Sequence, residues 1–165
     1  MKRLYLIGGT MGVGKTAACK LLCRQKLSNS VFLDGDWCWD AHPFTVTEET
    51  KEMVVDNICH LLNNFLRCSA YQTVVFCWVM HEQAIIDDIL SRLDTAGCRV
   101  VAVSLTCSEQ ALKSRLQRDI DEGLRMPDVL ERSLARLPLY EALGTVKIDT
   151  SGKTIDETAE ALYRL

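Results

Sequence analysis

Hydrophobic positions along the chain fall alternately into short continuous runs and stripes of helical period. The first run, residues 4–7, lacks a helical period and stops at Gly8-Gly9, which predicts a buried strand. A loop follows. A helix is then expected from Lys15, turning Ala17, Ala18, Leu21 and Leu22 to the core and failing around Leu27-Ser28-Asn29. Residues 31–33 predict a second strand that ends at Asp34-Gly35-Asp36. From Thr47 to about Arg67, a hydroxyl and two carboxylates open a long stripe of Met53, Ile58, Leu61, Leu62 and Phe65 at helical spacing. Residues 73–79, rich in β-branched and aromatic side chains, predict a central strand.

The next stripe, Ile85, Ile86, Ile89, Leu90 and Leu93, predicts a helix with Gly97 as its C-cap glycine. Residues 99–105 read as a fourth strand, and Ser108-Glu109 opens a helix that carries Lys113, Arg115 and Arg118. A break at residues 123–128 precedes a weak helix ending before Pro138. Residues 146–149 give a fifth strand and residues 154–165 a closing helix. Five strands alternating with helices predict an α/β, three-layer fold, a parallel sheet covered on both faces, because parallel crossovers place helices there. In such sheets ligands gather at the carboxyl ends of the strands. Residues 8–16, 34–40, 80–82, 106–108 and 149–152 are therefore expected to converge.

The 165 residues suit one domain able to bury a single core, with no linker, repeat or low-complexity segment. Nineteen basic against 22 acidic residues leave a net charge of −3, which gives no electrostatic footprint for nucleic acid or an anionic membrane. No apolar run reaches the roughly 18 to 20 residues of a membrane span. The eight cysteines include no CxxC pair, Cys19 and Cys23 lie one helical turn apart, and no signal peptide precedes the first strand. Reduced, mostly structural thiols and a cytoplasmic location are expected, as a monomer or homodimer.

Candidate chemistry concentrates in Gly9-Thr10-Met11-Gly12-Val13-Gly14-Lys15-Thr16, which fits G-x-x-x-x-G-K-[ST] at every fixed position between a predicted strand and a predicted helix. Glycines let backbone N–H groups wrap phosphates, and the helix N-terminus adds positive charge beneath them. Lys15 is expected to pair with the β- and γ-phosphates of ATP, and the Thr16 hydroxyl to ligate Mg2+. No NKxD tetrad accompanies the loop, which argues against a GTPase switch.

With this loop, the strand ending in Leu33-Asp34-Gly35-Asp36 and the later arginine helix in order, the chain resembles the small P-loop kinases. That group includes shikimate, gluconate and adenylylsulfate kinases, chloramphenicol phosphotransferase and the nucleoside monophosphate kinases. The resemblance implies a P-loop NTPase fold with strand order 2-3-1-4-5, ATP as donor, and a short mobile lid at about residues 119–127. It implies that Asp36 orients or deprotonates the acceptor hydroxyl and that Asp34 holds magnesium through water. Asp34-Gly35-Asp36 also has the composition of a simple turn. Many P-loop proteins carry an acid at the end of the strand beside the loop, and residues 74–79 contain none.

Arg115 and Arg118, one helical turn apart, suit a transferring phosphoryl group, Arg118 above all, with Arg125 across the break. Pairing with Asp119 or Glu122 on a solvated face is the alternative. Trp37 and Trp39, in the aromatic segment 37–44, offer an apolar wall for a ring-bearing acceptor or packing beneath the long helix. His81 is either a site residue or a helix-capping one, and Thr150 stands where related kinases contact adenine by backbone groups. The expected activity is transfer of the γ-phosphate of ATP to a hydroxyl of a small molecule. A nucleoside or nucleotide kinase and a nucleotide-binding regulatory ATPase are the alternatives.

Overall fold

The computed structural model describes residues 1–165. Its centre is a parallel sheet of five strands, β1 (Lys2–Gly8), β2 (Ser30–Asp34), β3 (Thr73–Cys77), β4 (Cys98–Thr106) and β5 (Val146–Asp149), in the order β2-β3-β1-β4-β5. Six helices connect and cover them: α1 (Lys15–Leu21), α2 (Glu48–Arg67), α3 (Gln83–Ser91), α4 (Glu109–Asp121), α5 (Val129–Arg136) and α6 (Ile155–Tyr163). This is the three-layer P-loop NTPase fold, with the strand order that the family resemblance implies.

Strand periodicity divides the core in two. In β1, Tyr5 and Ile7 face one side, where α1, α4 and α6 supply Ala18, Leu112, Leu116 and Leu162, while Leu4 and Leu6 face the other, where α2 and α3 supply Ile58, Leu62 and Ile89. β3 is buried at all five positions, as a central strand covered on both faces must be. Its register sets Asp34 at the end of β2 directly beside Cys77 at the end of β3.

Several details depart from the sequence reading. Met53 is 40% exposed, and the buried stripe of α2 runs through Val54, Ile58, Cys59, Leu62 and Leu66. The helix is opened by the Thr47 hydroxyl, as expected, through reciprocal Thr47–Thr50 hydrogen bonds, with Glu48 and Glu49 in its first turn. α1 is only seven residues long and continues as a π-helical turn, Leu22–Lys26. α3 stops at Ser91, so Leu93 lies beyond it. Gly97 (φ +71°) closes the turn into β4 instead of capping that helix. Past Pro138 a 3-10 segment, Leu137–Ala142, carries Tyr140, fully buried, whose hydroxyl donates to the Val79 carbonyl at 2.5 Å. That bond pins the segment after β3 against the end of α5. No helix is long and apolar enough to cross a membrane, and all eight cysteines are unpaired.

Candidate active site

A cleft of about 1400 Å3 opens over the carboxyl edge of the sheet. The phosphate loop forms its floor, and the ends of β2, β3 and β5 with α2 and α5 form its walls. Four of the five segments expected to converge there do so. The end of β4 does not line the cleft; it acts from behind, where the Thr106 carbonyl accepts from the Thr150 N–H (2.8 Å) and hydroxyl (3.0 Å).

Packing dictates glycine in the loop. Gly12 (φ +85°) lies against α4, where a Cβ would stand 2.5 Å from Leu116 Cδ2, and Gly14 (φ +102°) is the left-handed residue that turns the chain into α1. Lys15 Nζ donates to the carbonyls of Gly9 (2.6 Å) and Thr10 (3.0 Å), so the ammonium lies folded within its own loop. Burial pushes its pKa below the ordinary lysine value, against the pull of Cys77, Asp36 and Asp34. An incoming phosphate would relieve that penalty by supplying the missing negative charge. Thr10 is fully buried and its hydroxyl donates to the Ser133 carbonyl at 2.9 Å, tying the loop to α5. Neither Gly9 nor Thr10 lines the cleft; Met11, Gly12, Val13, Gly14, Lys15 and Thr16 do.

At the head of α1, the Thr16 hydroxyl donates to Asp34 Oδ2 at 2.6 Å, and Asp34 Oδ1 accepts the Asp36 N–H at 3.1 Å. Asp34-Gly35-Asp36 is therefore a turn and a junction with the loop at once. Gly35 is required there, since a Cβ would fall 2.5 Å from the Trp78 ring. The hard oxygen pair of Thr16 and Asp34 suits Mg2+, which takes few protein ligands and completes its shell with water and phosphate. It also answers the missing acid of β3: Asp34 stands one strand over, in register with Cys77. Asp36 has its pKa raised, first by burial and then by the Asp34 charge, with Lys15 opposing.

The arginines divide by role. Arg115 does not face solvent as a free cation; its guanidinium donates to the Thr150 hydroxyl (3.0 Å), the Thr150 carbonyl (2.6 Å) and, at 3.5 Å, the Val13 carbonyl. It ties the phosphate loop to the end of β5, and the buried Thr150 hydroxyl is consumed in the same knot. Arg118 is exposed and lines the cleft. Neither arginine pairs with Asp119 or Glu122; Asp119 instead binds Arg125 at 3.1 Å, which brings Arg125 to the cleft. α4 runs to Asp121, so the non-helical stretch begins three residues after the expected start of the lid.

Trp37 and Trp39 part company. Trp39 lines the cleft and stacks on Phe44, ring centroids 4.3 Å apart. Trp37 is 56% exposed, meets Phe32 edge-on, sits under Lys20 Nζ and borders a separate cavity of about 830 Å3 on the far side of the turn. His81 lines the cleft with Nε2 3.3 Å from Glu82, and its Nδ1 is buried without a partner. Burial, then Arg136, lowers its pKa, so it is neutral near pH 7. Arg132, Arg136, Lys51 and Lys153 also line the cleft and were not singled out from the sequence. Only the i, i+4 spacing of Arg132 and Arg136 in a weak helix signalled any of them.

A family model described as an AAA domain matches residues 6–133. No curated protein sequence matches the chain. Among solved structures, the chain is similar to the tunicamycin resistance protein of Deinococcus radiodurans, at 20% identity over 99% of this chain and 95% of that one, with TM-score 0.70. It is similar to a gluconokinase from Sinorhizobium meliloti 1021, at 20% identity over 97% and 90%, TM-score 0.68. It also resembles shikimate kinase from Acinetobacter baumannii, at 20% identity over 99% and 92%, TM-score 0.63. At these identities the likeness is one of fold.

Proposed function

Because the chain belongs to the AAA domain family, whose model spans most of its length, we propose that it is an ATP-dependent phosphotransferase acting on a hydroxyl of a small molecule. The observation that carries this reading is the 2.6 Å bond from Thr16 to Asp34, which joins the phosphate loop to a second carboxylate, Asp36, within one cleft. A regulatory ATPase has no need of that second acid or of an aromatic wall beyond it. The kinase names of two structural relatives, a gluconokinase and a shikimate kinase, support a small-molecule acceptor.

In this reading the loop amides and Lys15 bind the β- and γ-phosphates, and Thr16 with Asp34 holds Mg2+. The metal, when bound, neutralises phosphate charge. Asp36 orients the acceptor hydroxyl and takes its proton as the acceptor oxygen bonds to the γ-phosphorus and the bond to the departing ADP oxygen breaks. Its raised pKa suits a proton acceptor, although phosphoryl transfer depends mainly on positioning and charge neutralisation. Arg118 and Arg125, on residues 119–127 and the helix before them, would close over the γ-phosphate as a short lid. Arg115 fixes the loop and the β5 turn that receives adenine beside Thr150. Eight unpaired cysteines fit a reducing, cytoplasmic compartment.

The test is incubation of the protein with γ-labelled ATP, Mg2+ and a small-molecule extract, followed by separation of the labelled products. Label should appear in an acid-stable small-molecule ester and vanish in Asp36→Asn. Label released only as inorganic phosphate, equally in both proteins, would favour the ATPase reading.

A further inference from the structure

Two carboxylates share the turn after β2, and only one of them is anchored. Asp34 accepts from the Thr16 hydroxyl at 2.6 Å and from the Asp36 N–H at 3.1 Å, so each of its oxygens has a partner. The Asp36 carboxylate takes part in no ion pair, because the cations whose charge reaches it are engaged elsewhere. Lys15 is held by the carbonyls of Gly9 and Thr10, and Arg125 by Asp119 at 3.1 Å. Left to rotate, Asp36 would be drawn toward the cation site of Thr16 and Asp34 instead of toward an acceptor. Some other group must aim it.

Trp78 meets the turn at its centre. A Cβ on Gly35 would stand 2.5 Å from both Cδ1 and Cγ of the Trp78 ring, so the five-membered edge of the indole lies against the one residue between the two carboxylates. Nε1, the only donor of the ring, is bonded to Cδ1 and therefore faces the same turn. Burial and the Asp34 charge raise the Asp36 pKa, while the Trp78 indole N–H acts with Lys15 to lower it, as a donor to the charged form does. Trp78 is half-buried and lines the cleft.

The backbone that carries this ring is fixed on both sides. Directly after β3 the Trp78 N–H donates to the Ile7 carbonyl (3.1 Å), and the Val79 carbonyl accepts from the Tyr140 hydroxyl (2.5 Å) and the Gly9 N–H (3.4 Å). Next stands Met80, buried at φ +31°, a conformation that a bulky side chain seldom takes. Strain of that kind persists only where the surroundings over-determine the backbone, and it clusters where a site must be held in one arrangement.

Resting on the phosphotransferase reading, we propose that Trp78 is a positioning residue for Asp36: its ring braces Gly35, and its indole N–H turns the Asp36 carboxylate toward the acceptor and away from the cation site of Thr16 and Asp34. It thereby separates the roles of two carboxylates that the chain places two residues apart.

The test uses the full chain and has a spectroscopic and a kinetic arm. Three tryptophans give three indole N–H resonances, which single Trp→Phe variants assign. Asp36→Asn should move the Trp78 indole proton upfield, as when a donor loses a charged acceptor. Transfer is read as the initial rate of labelled ester formed from γ-labelled ATP, Mg2+ and a fixed small-molecule extract. Trp78→Ala should lower this rate roughly 10- to 100-fold, the scale of misplacing a reacting group by about 1 Å. Trp78→Phe keeps a ring on Gly35 but loses the N–H, and should fall between. Calorimetric affinity for a non-hydrolysable ATP analogue with Mg2+ should be little changed in both variants. Trp78→Ala should cost nothing further in the Asp36→Asn background, since it acts only through Asp36. A Trp78 resonance indifferent to Asp36→Asn, losses that multiply with that of Asp36→Asn, or ATP-analogue affinity falling in step with rate each overturns the proposal. A resonance that responds to Asp36→Asn in a chain that forms no labelled ester would leave the contact standing and sink the phosphotransferase reading. Labelled ester formed at equal rates by the native chain and both Trp78 variants would do the reverse.

Discussion

At the nucleotide end of the cleft the ligand-facing groups are mostly backbone, held by a contiguous run of six residues, Met11 to Thr16. At the acceptor end they are side chains from four separate places: the turn after β2, the first turns of α2, the segment after β3 and the end of α5. The first kind of site is fixed by local conformation, because glycines at φ +85° and +102° and a helix start suffice to aim the amides. The second depends on packing over long sequence separations, such as the Tyr140 bond to Val79 that fixes His81 relative to Arg136. Loops assembled in this way can change partners while the phosphate end stays constant, as expected for a fold that serves many acceptors.

The largest effect should come from the nucleotide end. Lys15→Ala should lower turnover by roughly 10²- to 10³-fold or more, the cost of losing one preorganised charge on the reacting group. Because the buried ammonium of Lys15 is a burden in the free protein, the melting temperature should hold or rise. A marked fall would mean that Lys15 serves the fold first.

The two carboxylates at the junction should separate next. Asp36→Asn should cut kcat by about a hundredfold, with ATP binding little changed, since a positioned base contributes at that scale. Asp34→Asn should instead raise the Mg2+ concentration needed for half-maximal activity, because its partner is Thr16. Equal loss of ATP affinity in both would merge the two roles.

The tryptophans give the sharpest contrast within the acceptor end. Trp39→Ala should raise the acceptor KM by about tenfold, as loss of a stacked ring face costs on the order of 1 to 1.5 kcal/mol. Trp37→Ala should leave catalysis untouched and stability within about 0.5 kcal/mol, as an exposed surface side chain does. Identical kinetics for the two variants would show that the turn after β2 adopts a different arrangement when substrate binds.

The smallest effect concerns stability against pH. The pKa of Asp36 is raised on folding, so the folded chain holds its proton more tightly than the unfolded one. Stability on this account is greatest below the ordinary aspartate range and is lost as pH rises through the raised value. Asp36→Asn should therefore melt slightly higher than the native chain near neutral pH, and the difference should vanish in acid. A difference that grows in acid would reverse the sign of the account.

The parallel sheet and the phosphate loop were legible because both follow from local signals, alternating apolar runs and glycines at fixed offsets before a Lys-Thr pair, while the strand order came only from the family resemblance. Asp34 and Asp36 were legible from their position after β2. The division between Trp37 and Trp39 was not, because Trp37 lies inside the 3-10 turn Gly35–Cys38 while Trp39 is the extended residue that ends it, and the turn depends on Gly35 meeting Trp78. Arg115 looked like a phosphate ligand for the same reason, since nothing in α4 alone reveals that the carbonyls of Val13 and Thr150 lie within its reach. Arg136 was hidden in a short helix whose position is set by the bonds of Ser133 to Thr10 and of Tyr140 to Val79, partners far away in sequence.

The central claim is that Lys15, Thr16 and Asp34 form a magnesium-dependent ATP site. Calorimetric titration of a non-hydrolysable ATP analogue, with and without Mg2+, into the native chain, Lys15→Ala and Thr16→Ala tests it most directly. One molecule should bind per chain, more tightly with Mg2+. Lys15→Ala should weaken binding under both conditions, and Thr16→Ala should abolish the difference that Mg2+ makes. Unchanged affinity in Lys15→Ala, or a native chain indifferent to Mg2+, would contradict the account.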